Sequence, residues 1–465
     1  MFEKFANIFR IPDLRRRVLF TLGILAVYRL GAHITTPGVN VEALEAFFNN
    51  QAGSSLGLVD LFSGGNLRRL TVFALGIMPY ITASIIFQLL TVVYEPLAKL
   101  QKEGELGRRK ITQWTRYVTV LLGVVQSAAI AIALQSSSSN LVLNPGPAFV
   151  LMTVLTLTTG TTFVMWLGEQ ITERGIGNGM SLLIFAGIVV GLPRGIADLV
   201  NTAKTQRFGA LTVPAIGLLV VFMVAVVAFI VYVERSERRI PVQYAKRIIG
   251  RRMMGGQSTH LPLKVNSGGV MPIIFAASVL SAPMLFSQAR FVQNTTWLRN
   301  TFDLLRPGEP WYELLYMVSI IFFAYFYISI VFRPDDIADN MRKYGGFIPG
   351  IRPGRRTSDF VNEILTRITL VGAIYLIVVA IIPQFLISGI KLNHLWLIGG
   401  FFERLPLWVT NGMGFNFYFG GTSLLIVVGV AMDTVNQIES HLIMRHYEGF
   451  TPKSGRVRGR QAARW

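Results

Sequence analysis

Apolar runs close to the length needed to cross a bilayer recur along the whole chain, and they restrict its fold more than any other feature. A helix needs about 20 apolar residues to traverse the hydrocarbon core. Runs of this kind lie at 18–36, 71–94, 117–135, 149–168, 180–196, 211–233, 269–288, 312–332, 368–387 and 420–440, the fifth of them short and rich in glycine. Backbone polar groups in lipid must be satisfied within the structure itself, so a bundle of ten helices is the form these runs support. A β-barrel would instead show short alternating strands. A soluble chain of 465 residues would split into about three domains and carry roughly a quarter charged residues. Here the charged share is 15% against 52% hydrophobic, so lipid is the main solvent. The expected fold class is an all-α polytopic membrane protein with ten transmembrane helices.

The remaining charge is strongly basic, with 44 Lys and Arg against 25 Asp and Glu. Such an excess also suits a nucleic-acid binder. These charges, however, lie between the apolar runs. If the N-terminus is cytoplasmic and the spans alternate, the cytoplasmic segments hold 33 of the 44 basic residues. The opposite orientation would violate the positive-inside bias. Residues 1–17 then form a basic cytoplasmic segment, and an even number of spans returns the C-terminus to the same side. The start resembles a signal peptide, but no small-residue cleavage site follows, so 18–36 is read as a retained first span. The chain contains no cysteine, which excludes a disulfide framework and cysteine–metal sites.

Two short stretches recur. Gly76-Ile77-Met78-Pro79-Tyr80-Ile81-Thr82-Ala83 matches Gly269-Val270-Met271-Pro272-Ile273-Ile274-Phe275-Ala276. Gly179-Met180-Ser181-Leu182-Leu183-Ile184 matches Gly421-Thr422-Ser423-Leu424-Leu425-Ile426, and Gly187 and Gly429 each follow three residues later. The first pair joins spans 2 and 7, the second spans 5 and 10. Both offsets are five spans, so the second half enters the membrane from the opposite face. That is an inverted repeat, and sites in such proteins lie where the repeats meet near the midplane. The matched positions there are aliphatic: Ile81 with Ile274, and Ile184 with Ile426. Ile85 is one helical turn from Ile81 and shares its face. A collar of isoleucines makes an apolar constriction of the kind that gates by dewetting; ordinary helix packing is the alternative use of the same side chains.

Several longer strings resemble the SecY family. They are Asp60-Leu61-Phe62-Ser63-Gly64-Gly65; Gly168-Glu169-Gln170-Ile171-Thr172-Glu173-Arg174-Gly175-Ile176-Gly177-Asn178-Gly179; Leu261-Pro262-Leu263-Lys264-Val265-Asn266-Ser267-Gly268-Gly269; Pro349-Gly350-Ile351-Arg352-Pro353-Gly354; and Tyr418-Phe419-Gly420-Gly421-Thr422-Ser423-Leu424-Leu425-Ile426. The resemblance covers nearly the whole chain. It implies a clamshell with an N-terminal half at 18–196 and a C-terminal half at 197–440, and spans 2 and 3 facing spans 7 and 8 across a lateral gate. It places the pore ring on Ile81, Ile85, Ile184, Ile274 and Ile426, with Met180 as a further member that departs from isoleucine. Segment 58–70 is too polar to span and on its own reads as an interfacial or re-entrant piece. The resemblance makes it a plug, with Phe62, Ser63, Gly64 and Gly65 below the ring.

The family resemblance also implies partners: SecE and SecG subunits, the SecA motor ATPase, the ribosome, signal peptides and nascent chains, all in a bacterial plasma membrane. The basic loops 234–268 and 333–367 would dock ribosome or motor, through Arg251, Arg252, Arg352, Arg355 and Arg356. Arginine suits phosphate because it binds through two parallel hydrogen bonds. Read without the family, the same loops set topology and meet anionic lipid. The tail at 441–465 is basic and is either solvated or a ribosome or lipid contact. Glu169, Glu173 and Arg174 are read as stabilising a helix end, and Asp433 as a hydrogen-bonded interhelix residue. No nucleotide motif, metal-ligand spacing or catalytic constellation stands out, so no cofactor is expected and energy must come from partners. The function expected is a passive protein-conducting channel. A secondary transporter would need polar groups converging at the midplane, and an intramembrane enzyme would need a paired acid, nucleophile or metal motif.

Overall fold

Each of the ten predicted runs overlaps a helix in the computed structural model, which describes residues 11–50, 60, 63–136, 141–204, 212–244, 247–249, 252–254, 258–284, 292, 294–305, 309–388 and 421–448. The helices of the first half are α1 (Pro12–Gly31), α2 (Val41–Asn50), α3 (Met78–Val93), α4 (Glu95–Lys102), α5 (Glu105–Ser136), α6 (Pro147–Arg174) and α7 (Gly179–Lys204). Those of the second half are α8 (Thr212–Arg235), α9 (Met271–Met284), α10 (Thr296–Leu304), α11 (Pro310–Val331), α12 (Pro334–Lys343), α13 (Arg355–Ser388) and α14 (Gly421–Glu448). Among the described residues six helices, in α5, α6, α7, α8, α11 and α13, carry a stretch long and apolar enough to cross a membrane. The pair α3–α4, bent by 99° at its break, makes a seventh if counted as one span. α1 and α14 fall short on composition, because Arg15, Arg16 and Arg17 open the one and charged residues fill the far end of the other.

The two halves repeat one packing scheme. In the first, α3 packs on α5, α5 on α6, α6 on α7 and α1 on α7; in the second, α9 packs on α11, α11 on α13, α13 on α14 and α8 on α14. Taking α1, α3, α5, α6 and α7 as counterparts of α8, α9, α11, α13 and α14, these four contacts correspond pair by pair; α1 packs in addition on α6, more extensively than α8 does on α13. The halves meet through α3 against α9 and α7 against α14, the helix pairs that carry the recurring sequence, and through α7 against α8.

Segments 234–268 and 333–367 are more ordered than a loop reading implies. Strand β1 (Glu237–Tyr244) pairs antiparallel with β4 (Ser258–Lys264), and β5 (Gly346–Phe347), from the other long loop, adds to the free side of β1. Two short strands, β2 (Arg247–Ile249) and β3 (Arg252–Met254), form a separate hairpin. Ile240, Val242 and Leu263 of the sheet pack with Met341, Ile348, Val361 and Leu365. Segments 234–268 and 333–367 therefore share one small core.

Candidate functional site

The midplane site starts from two backbone elbows. Gly76 and Gly269 both take left-handed φ, +54° and +56°. Only glycine adopts that conformation without strain from a Cβ. Two residues on, α3 and α9 each begin at a methionine followed by proline, Pro79 and Pro272. Proline suits a first turn because its missing N–H would have no helical partner there. Run 71–94 thus starts with turns and becomes helical only at Met78.

Ile81 and Ile85 of α3, Ile274 of α9, Ile184 of α7 and Ile426 of α14 all belong to one large apolar cluster of buried residues drawn from both halves. None of the five is more than 6% exposed. Met180 is a peripheral member. It packs against the cluster while half-buried. Its thioether rests on α6, where a Cβ at Gly168 would lie 2.5 Å from Sδ.

The segment expected to form a plug is built around buried polar groups. Phe62 lies outside the described residues. Ser63 is fully buried; its hydroxyl donates to the Asp60 carbonyl at 3.0 Å and accepts the Leu67 N–H at 3.2 Å. Gly64 and Gly65 take φ of +75° and +80°, and the Gly65 N–H donates to the Asp60 carbonyl at 2.8 Å. A Cβ on Gly64 would fall 2.6 Å from the Gly187 Cα, so the turn rests directly on the α7 backbone. The buried Asp60 carboxylate accepts the Arg68 N–H at 2.9 Å and pairs with the Arg68 guanidinium at 3.2 Å. Burial pushes the Asp60 carboxyl above its ordinary value, and Arg68 partly offsets this.

In segment 333–367, Arg352, Arg355 and Arg356 are exposed, and none of them forms an ion pair among the described residues. Arg352 stands between Gly350 (φ +81°) and Gly354 (φ +111°), and the Thr357 hydroxyl of α13 donates to its carbonyl at 3.1 Å. The tip is thus pinned while its guanidinium is free. Arg252 opens β3; Arg251 lies outside the described residues. Glu169, read as stabilising its own helix end, instead pairs with Arg116 of α5 at 2.7 Å. Asp433 lines a cavity of about 220 Å³ with Glu234, Lys264 and Asn266, and no hydrogen bond joins it to a neighbouring helix among the described residues. The sequence reading missed the contact of Tyr28 with Ser63 and with Asn66 of segment 58–70. A tyrosine inside an apolar run was the available signal, since a buried hydroxyl needs a partner.

The SecY family model matches residues 71–435. The protein translocase subunit SecY of Escherichia coli (strain K12) is 47% identical over 448 residues, covering 96% of this chain and 95% of that protein. Its counterpart from Streptomyces griseus is 46% identical over 465 residues, covering 97% and 100%. Among solved structures, a protein-conducting channel superposes with a TM-score of 0.61 at 17% identity, covering 94% of this chain and 95% of that one. A SecY protein whose plug domain stabilises the closed state gives a TM-score of 0.62 at 17% identity, with the same coverage. The Sec61 of a canine ribosome–channel complex gives 0.58 at 16% identity over 94% and 95%. With its two matched halves meeting at the recurring helices, this chain belongs to the SecY family.

Proposed function

We propose that the chain is the protein-conducting subunit of a bacterial Sec translocon, in which unfolded secretory polypeptides cross the plasma membrane through the isoleucine collar. The observation that carries this reading is the convergence of Ile81, Ile85, Ile184, Ile274 and Ile426, from both halves, in one buried cluster. An apolar constriction on four helices holds no ordered water and closes by dewetting. Side chains on helices that can separate also yield to substrates of different width. The seam between α3 and α9 would release apolar segments sideways into lipid, with α5 and α11 flanking it.

Segment 58–70 acts as the plug under this collar, and ten spans place both termini in the cytoplasm. SecE and SecG accompany the chain in the membrane. SecA or the ribosome supplies the energy, docking on the sheet module that presents Arg352, Arg355 and Arg356. The collar itself is a passive, non-enzymatic element. A solute transporter is disfavoured because its midplane would carry polar or ionisable groups, whereas the repeat-matched positions here are isoleucines. Replacing Ile184 or Ile426 with asparagine should raise resting ion conductance and admit precursors with defective signals. Unchanged conductance together with unchanged signal stringency would contradict the collar.

A further inference from the structure

Tyr28 sits in α1, which carries none of the collar isoleucines, and its hydroxyl is turned toward the plug turn. It donates to the Ser63 carbonyl at 3.5 Å and accepts from the Asn66 Nδ2 at 3.4 Å. Asn66 Nδ2 also donates to the Ser63 carbonyl, at 2.6 Å, so three polar groups close on one point. Tyr28, Asn66 and Ser63 are each no more than 5% exposed. Groups so buried have no water to turn to when the contact opens, and leaving them unsatisfied costs more than the bond itself returns.

The tyrosine ring is held so that its hydroxyl reaches only this place. It stacks on Phe73 with centroids 5.6 Å apart and planes 8° from parallel. Phe73 in turn stacks on Phe163 of α6 at 6.1 Å. A Cβ on Gly31 would lie 2.1 Å from the Phe73 ring, so that ring is pressed flat against the α1 backbone. The stack fixes the ring before the plug arrives, which lowers the ordering cost of the contact.

We propose that Tyr28 is a positioning residue for closure, a fixed hydroxyl latch on span 1 that holds the plug turn seated through Ser63 and Asn66. The proposal rests on the plug reading of segment 58–70. Opening the channel requires this contact to break, so the latch sets part of the resting balance between seated and displaced plug. The ring, with its stacking, belongs to the scaffold; the hydroxyl alone belongs to the latch.

Tyr28→Phe removes the hydroxyl and keeps the stack. In the full channel complex reconstituted in planar bilayers without precursor, Tyr28→Phe should raise resting conductance about fivefold, the population change expected when one buried hydrogen bond is lost. It should add nothing on an Asn66→Ala background, because both act through the same contact. Its melting temperature and its export of precursors with intact signals should match the parent. A channel lacking residues 60–65 serves as reference. Leak from that deletion with none from Tyr28→Phe would overturn the latch and leave the plug reading intact. No leak from the deletion would remove the plug reading and the latch with it. Additive leak from Tyr28→Phe and Asn66→Ala, or a leak accompanied by a lowered melting temperature, would also overturn the latch.

Discussion

The elbows before α3 and α9 share a backbone and a contact with a neighbouring helix, and differ in what leads into them. Each has a left-handed glycine followed by a helix that opens Met-Pro. Four residues before each glycine, a valine carbonyl faces a glycine of a neighbouring helix: Val72 meets Gly160 of α6, and Val265 meets Gly372 of α13. What leads into them is unrelated. The first elbow is reached from the plug and the second from strand β4 of the sheet module. The repeat therefore supplies a common scaffold, and each half adds its own element in front of the shared joint, the segment proposed as a plug in one and the sheet module proposed for docking in the other.

The joint is also where the halves can be told apart by substitution. A Cβ on Gly160 would stand 1.9 Å from the Val72 carbonyl oxygen, and one on Gly372 would stand 2.8 Å from that of Val265. Both obstacles are backbone and cannot swing aside. In a membrane, helices associate through close packing at such small residues rather than through the hydrophobic effect. Gly160→Ala should cost about 3 kcal/mol, at the upper end of ordinary overpacking, and Gly372→Ala about 1 kcal/mol. Thermal unfolding in detergent reads the difference. Equal costs would mean that the second joint is as tight as the first, and a larger cost at Gly372 would reverse the comparison.

A smaller and more local effect separates the two added devices. Arg352→Glu reverses the charge at the pinned tip and touches neither collar nor plug. It should slow translocation driven by motor or ribosome about tenfold, as expected for a steering charge, and leave resting conductance and melting temperature unchanged. Normal translocation by this variant would remove the tip from docking.

Much of this arrangement was legible in the sequence because its signals are local. A bilayer-length apolar run specifies a helix without help from distant residues, and the recurring Gly-x-Met-Pro string pairs one half with the other. Four of the collar isoleucines followed from the repeat, and Ile85 from its place one helical turn beyond Ile81. The contacts that remained hidden are non-local. Hydropathy does not separate helix from turn, so run 71–94 gave no sign that the chain turns until Met78. Strand β1 carries its alternation at Ile240 and Val242, but three charged residues and Pro241 obscure it, and its partner lies well downstream. β5 reaches only Gln243 and Tyr244, which leaves Pro241 paired on one side, as a strand proline requires. The approach of Gly160 to Val72 joins positions far apart in the chain and leaves no local pattern.

Absence of native cysteine makes the collar directly testable. Single cysteines at Ile81 and Ile426, with one at Leu218 as a lipid-side reference that is 66% exposed, are challenged with a stalled secretory precursor carrying one cysteine. The collar account predicts disulfide adducts with the precursor from Ile81 and Ile426 and none from Leu218. Adducts from Leu218 alone, with both isoleucine positions silent, would contradict it.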